Sequence, residues 1–219
     1  MTFIQELIES SYAPGVTETH MGEGLSAIHR SNCAAVVWRR HLAPCLQHWI
    51  DMLNPECLPC ARVILRPEDV LEAVTQICEA SGTPDCAQRA MLIEDTSTLA
   101  GLFSNLVQSP YLRLRYDVVA TDACRKFHID TVKARIICTY RGPGTQYRFL
   151  EDARNPDAQV FSVETGEPIL LRGKLWPESP DVGLRHRSPP IEGTGQTRLV
   201  LVLDPIMDPD SHSEQNFLH

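Results

Sequence analysis

Two histidines and one carboxylate form a set able to hold a metal ion. Phe127-His128-Ile129-Asp130 places an imidazole and a carboxylate two residues apart, and such residues project to the same side of an extended segment. His186, in Arg185-His186-Arg187-Ser188-Pro189-Pro190, offers a second imidazole ahead of a strongly apolar run. Two imidazoles and a carboxylate on one face of an ion are the ligands of non-haem Fe(II) oxygenases, with open positions left for other groups. Arg198 begins the apolar run, and a guanidinium there has the fork geometry to clamp the distal carboxylate of 2-oxoglutarate. His-x-Asp alone is a weak signal; Arg198 and the strand it opens give the set its weight. The competing reading is a hydrogen-bonded His128–Asp130 pair in a turn, with Arg198 answering a surface acid.

The elements that must position these residues change character near residue 110. Before it the apolar spacing is mostly helical. Pro67-Glu68-Asp69 suits a first helical turn ahead of Val70-Leu71-Glu72-Ala73-Val74, with a stop near Ser81-Gly82-Thr83-Pro84. A second helix is expected from Cys86 to Val107, burying Ala90, Leu92, Ile93, Leu99, Leu102, Phe103 and Leu106. Residues 34–53 read as a shorter strand or helix pattern around Trp38 and Trp49. After Pro110 the period becomes two. Strands are expected at 112–119, 132–140, 159–163, 168–172 and 198–203, with Gly/Pro turns between them. Many short strands at this spacing suggest a barrel or sandwich. The expectation is one domain over 1–219: a mainly helical region to 110, a β core over 111–206, and a polar, disordered tail over 207–219.

The chain has 219 residues, with 20 Lys+Arg against 28 Asp+Glu and a formal charge of −8. Nucleic acid is a poor partner for such a balance, because neutralising phosphates needs a basic stripe. No apolar run approaches the roughly 18 residues of a membrane span, and the acidic start lacks the basic opening of a secretory signal. A cytoplasmic protein is therefore expected, and its eight cysteines read as free thiols.

The strings Asp122-Ala-Cys-Arg-Lys-Phe-His-Ile-Asp130, Cys138-Thr-Tyr-Arg-Gly-Pro-Gly-Thr145, His186-Arg-Ser-Pro-Pro190 and Arg198-Leu-Val-Leu-Val-Leu-Asp204 resemble those of a bacterial family known as domain of unknown function 1826. That family name carries no activity. The C-terminal half also resembles the prolyl-hydroxylase-type Fe(II)/2-oxoglutarate dioxygenases, whose pattern His128, Asp130, Tyr140, Gly144-Thr145, His186 and Arg198 follow in order. The resemblance implies an α+β fold, a double-stranded β-helix of jelly-roll or cupin type with an N-terminal helical region packed on it. It also implies Fe(II) on His128, Asp130 and His186, and 2-oxoglutarate as cosubstrate held by Arg198 and hydrogen-bonded by Tyr140. Dioxygen and an unidentified small-molecule or peptide substrate complete that reading, with hydroxylation the default outcome. The alternative is a non-catalytic, cupin-like metal-binding protein in zinc or iron homeostasis.

Other motifs carry less. Cys57-Leu-Pro-Cys60 with Cys45 and His48 has the donors for structural zinc, but the pairs lie close together in an apolar stretch, and free thiols are the preferred reading. Arg141-Gly-Pro-Gly-Thr145 lacks the Lys-Ser/Thr ending of a phosphate loop and reads as a turn at the barrel rim.

Overall fold

In the computed structural model, the described residues are 15–122, 124–149, 159–177 and 183–210. The end of the expected tail, 211–219, lies outside them. Ten strands run in chain order with three helices: β1 (Val16–Thr19), β2 (Ala35–Trp38), α1 (Pro44–Met52), β3 (Ala61–Leu65), α2 (Val70–Ala80), α3 (Ala87–Val107), β4 (Tyr111–Val119), β5 (Ala134–Arg141), β6 (Gln146–Phe149), β7 (Phe161–Ser162), β8 (Pro168–Arg172), β9 (Leu184–Arg187) and β10 (Arg198–Ile206). A large sheet has the order β1-β2-β8-β5-β10-β4-β3 and a small one the order β7-β6-β9. The small sheet covers one face of the large sheet as a double-stranded β-helix, and the helices cover the other face.

The central strands are buried on both faces, which is why β10 reads as a continuous apolar run rather than an alternating one. Side-chain parity then sorts every residue. Leu199, Leu201 and Leu203 join Ile136, Cys138, Tyr140, Leu114 and Tyr116 beneath α2 and α3, where Val74, Leu92, Leu99 and Phe103 meet them. Val200 and Val202 point the other way, with Ile137, Ile169 and Leu171, toward Tyr147 and Leu184 of the small sheet. Each fully buried leucine contributes about 1.5–3 kcal/mol, so β10 alone anchors much of the helix layer.

The first 110 residues are less helical than expected. They supply β1 and β2 at one end of the large sheet and β3 at the other. Arg62-Val63-Ile64 pairs with β4 over a five-residue register. β1 and β3 are short edge strands of mixed exposure, so they show no clear alternation in the sequence. Residues 34–53 resolve into both options, β2 followed by α1. The small sheet's β6 and β9 were not expected as strands either: both are four residues long, and β9 reads Leu-Arg-His-Arg.

An ion-pair network ties the helix layer to the large sheet. Arg40 donates from Nη1 to Asp95 Oδ1 at 2.6 Å and from Nη2 to Oδ2 at 2.8 Å, while Tyr140 Oη donates to the same Oδ2 at 2.6 Å. Replacing Asp95 by Ala leaves a largely buried guanidinium and a phenol without their acceptor. The expected loss of about 2–3 kcal/mol in unfolding free energy is checked by urea titration.

Candidate metal centre

His128 sits just before β5 and His186 within β9, and the two pair as an isolated antiparallel bridge. Each backbone N–H donates to the other's carbonyl at 3.0 Å. That reciprocal pair sets the two imidazoles side by side, with ring centroids 4.5 Å apart. Asp130 follows two residues after His128. Its backbone carbonyl accepts from Lys174 N at 2.9 Å, which ties the segment to the chain leaving β8. One ligand atom from each of His128, Asp130 and His186 lies within 4.8 Å of the others. Among the described residues no further group of three or more His, Cys, Asp or Glu side chains converges in this way. Cys45, His48, Cys57 and Cys60 are described residues and are not brought together as ligands.

The surroundings prepare the three side chains for a cation. His128 Nδ1 lies 2.8 Å from the carbonyl of Lys126; a carbonyl only accepts, so the proton sits on Nδ1 and the lone pair on Nε2. His186 Nε2 is 3.1 Å from Asp130 Oδ2 and His128 Nε2 is 3.5 Å from Oδ1. Arg135, on the inner face of β5, reaches Asp130 Oδ1 with Nη1 at 2.6 Å and clasps Asp204 through Nε and Nη2 at 2.6 and 2.8 Å. Asp130 Oδ2 is buried and accepts no hydrogen bond. A carboxylate oxygen left unsatisfied in that position is costly, and a bound cation would satisfy it. The donor set therefore fits a divalent metal.

Electrostatics agree with that arrangement. Burial alone would raise the Asp130 carboxyl, but His128, His186 and the charge of Arg135 outweigh it and hold the group well below the usual carboxylate range. Burial lowers His186, while the neighbouring Asp130 raises His128. Both rings are thereby matched to different degrees of exposure, His186 at 6% and His128 at 36%.

His128 and His186 border a cavity of about 370 Å³ between the two sheets, lined also by Ile137, Thr145, Val200, Val202 and Arg198. Arg198 is 2% exposed. Its Nε donates to the Pro143 carbonyl at 2.7 Å and its Nη2 to Thr139 Oγ1 at 3.2 Å. Both acceptors are neutral, and no carboxylate among the described residues pairs with this guanidinium. Burial pushes it down to about 10, still charged at neutral pH. The Gly142-Pro143-Gly144 turn makes this possible. Gly142 has φ +76°, and a Cβ on Gly144 would fall 1.9 Å from the Val163 carbonyl, so the chain can pass close behind Arg198 only with glycine there.

Tyr140 is a correction. It points to the helix face, fully buried, with its hydroxyl on Asp95, and cannot reach a ligand beside Arg198. The register of β5 against β10 slips between Leu199 and Val200, with Thr139 opposite Val200 and Arg141 opposite Leu199. Thr139, one residue earlier and of opposite parity, is the β5 side chain that meets Arg198.

The fold and the site together define a double-stranded β-helix with a His-Asp-His set at the mouth of its inner cavity. Residues 20–204 match the family described as "Protein of unknown function (DUF1826)", and the chain belongs to that family. Comparison with curated protein sequences finds no match. Among solved structures, the chain is similar to AtDAO1, a dioxygenase for auxin oxidation from Arabidopsis thaliana in a 2-oxoglutarate complex. The TM-score is 0.54 and the identity 11%, over 90% of this chain and 94% of that one. The rice dioxygenase for auxin oxidation gives 0.47 at 12% identity, covering 90% and 84%. The Kdo hydroxylase KdoO, a non-haem Fe(II) α-ketoglutarate-dependent dioxygenase, gives 0.48 at 11%, covering 87% and 88%. At 11% identity the likeness to AtDAO1 shows the shared fold alone. No helix among the described residues is long and apolar enough to cross a membrane.

Two substitutions separate the faces of the sheet. His186→Ala is expected to abolish retention of Co(II) through dialysis, measured by elemental analysis. Tyr140→Phe is expected to retain the metal in full while losing about 1 kcal/mol of stability, the cost of one hydrogen bond.

Proposed function

We propose that this protein is an Fe(II)- and 2-oxoglutarate-dependent oxygenase that hydroxylates a small-molecule or peptide substrate. The observation that carries the reading is Arg198, a buried guanidinium with neutral partners that lines the same cavity as His128 and His186. A buried charge is retained at a cost unless an anion answers it. A dicarboxylate that meets a metal at one end and Arg198 at the other satisfies both ends at once. The fold shared with a dioxygenase in complex with 2-oxoglutarate supports the same assignment.

Each residue then has a task. His128, Asp130 and His186 hold the metal, with the Lys126 carbonyl fixing the tautomer of His128 and Arg135 fixing the rotamer of Asp130. Thr139 and Pro143 aim Arg198 so that its remaining N–H groups face the cavity. Ile137, Val200 and Val202 keep water from the cosubstrate's carbon chain. Iron and 2-oxoglutarate bound there would supply the oxidative chemistry: dioxygen converts the cosubstrate to succinate and carbon dioxide and provides the oxygen atom inserted into a substrate C–H bond.

The test is an anaerobic visible spectrum of the Fe(II)-loaded protein titrated with 2-oxoglutarate. A metal-to-ligand charge-transfer band is expected to grow with cosubstrate and to be absent in His128→Ala. Arg198→Met is expected to weaken 2-oxoglutarate by 1.5–3 kcal/mol, about 10- to 150-fold in Kd. Its ligand-free stability should stay within about 1 kcal/mol of wild type, because an unpaired buried charge is removed with its hydrogen bonds. Bound Fe(II) with no band would instead favour a metal-binding protein without this cosubstrate.

A further inference from the structure

The cavity holds more positive charge than a dicarboxylate cosubstrate uses. Arg62, Arg115, Arg135, Arg187 and Arg198 all line it, in a chain whose formal net charge is −8. Arg135 is committed to Asp130 and Asp204, and Asp117 answers Arg115. A divalent metal and a dianionic cosubstrate cancel each other. Five guanidiniums against three carboxylates therefore leave two positive charges in the loaded site.

Two of these arginines stand in an arrangement that sheet packing alone does not favour. Arg62 on β3 and Arg115 on β4 are direct register partners, on the same face and toward the same cavity. Like charges directly opposite on antiparallel strands destabilise the pair. Arg115 Nε lies 2.9 Å from Asp117 Oδ2 but outside hydrogen-bond geometry, and Arg62 has no ion pair among the described residues. Arg187 is differently employed: its Nε donates to Gln146 Oε1 at 2.9 Å, and its guanidinium stacks 4.4 Å from the ring centre of Phe127.

We propose that the substrate of this site is a small organic anion, and that Arg62 and Arg115 together receive its oxyanion group, a carboxylate or a phosphate. The proposal rests on the oxygenase reading above. A cavity of about 370 Å³ is of small-ligand size. Two opposed guanidiniums form a fork that one oxyanion bridges with charge-assisted hydrogen bonds. Binding relieves their repulsion, so it also stabilises the β3–β4 edge of the large sheet. The excess positive charge further draws anions toward the cavity of an otherwise acidic protein.

The experiment melts the Fe(II)- and 2-oxoglutarate-loaded protein anaerobically, at constant ionic strength, in increasing sodium sulfate or sodium acetate. Wild type is expected to gain melting temperature saturably with at least one anion. In Arg62→Gln/Arg115→Gln the apparent affinity is expected to fall at least about tenfold. A response to sulfate alone assigns the site to a phosphate group, and a response to acetate assigns it to a carboxylate. Without added anion the double variant should melt no lower than wild type. No saturable response, an equal response in both proteins, or a variant that melts lower would each overturn the proposal. The charge-transfer band is recorded on the same samples. Its presence without an anion response sinks only the anion site, whereas its absence from wild type sinks the oxygenase reading itself.

Discussion

The central strands of the large sheet are buried on both faces, and that constraint governs everything else in this molecule. A strand side chain has two destinations here, the helix layer or the inner cavity, and parity assigns them. On β10 it sends Leu199, Leu201 and Leu203 to the helices and leaves Arg198, Val200 and Val202 for the cavity. On β5 it gives Ile136, Cys138 and Tyr140 to the helices and Arg135, Ile137 and Thr139 to the cavity side. The chemistry-bearing residues are thus held by strands whose other face is packed against α2 and α3. A shift of one residue in register would bury the arginines among leucines, so the hydrophobic pattern of the helix layer also fixes the alignment of the site.

The candidate metal-binding residues use a different device. His128 and Asp130 lie outside the named strands, and what locates them is pairing with the small sheet. The reciprocal bridge to His186 makes two ligands cross-strand neighbours, a relation that backbone hydrogen bonds enforce at short range. Phe127, one residue earlier, is clamped between the guanidiniums of Arg148 and Arg187 at 4.2 and 4.4 Å from its ring centre. Asp122 Oδ1 accepts from Ile191 N and Glu192 N, each at 2.8 Å, joining the loop after β9 to the segment that leads into His128. The ligand segment is therefore tied at its start, at its ring-stacked middle and at the bridge.

Much of this was legible in the sequence because it rests on alternation and spacing. The apolar run of β10, the helices at 70–80 and 87–107, and the His-x-Asp pair all carry local patterns that survive without tertiary information. What escaped had none. β6 and β9 are short and rich in arginine, since one side of each faces solvent or the cavity. β3 gave no strand signal because it is a short edge strand of mixed exposure. Tyr140 was misassigned for a more specific reason: its place in a family pattern suggested the cavity, and on a strand buried on both faces the apolar neighbours Ile136, Ile137 and Cys138 do not tell which face is which. Arg135 went unnoticed because its partner, Asp204, is 69 positions away.

A common physical logic links the cavity's arginines to the orphaned carboxylate oxygen. Asp130 Oδ2 lacks a donor, Arg198 lacks an anion, and Arg62 stands against Arg115 across two strands. The carboxylate oxygen and Arg198 each cost stability in the free protein and gather around one cavity, while on the helix side Arg40, Asp95 and Tyr140 satisfy one another. Strain and unmet charge concentrate where ligands repay them. The helix layer supplies the stability, and the groups left without a partner of opposite sign, Asp130 Oδ2, Arg198 and Arg62, gather on the cavity side, where the proposed metal, cosubstrate and anionic substrate would bring the complementary charges.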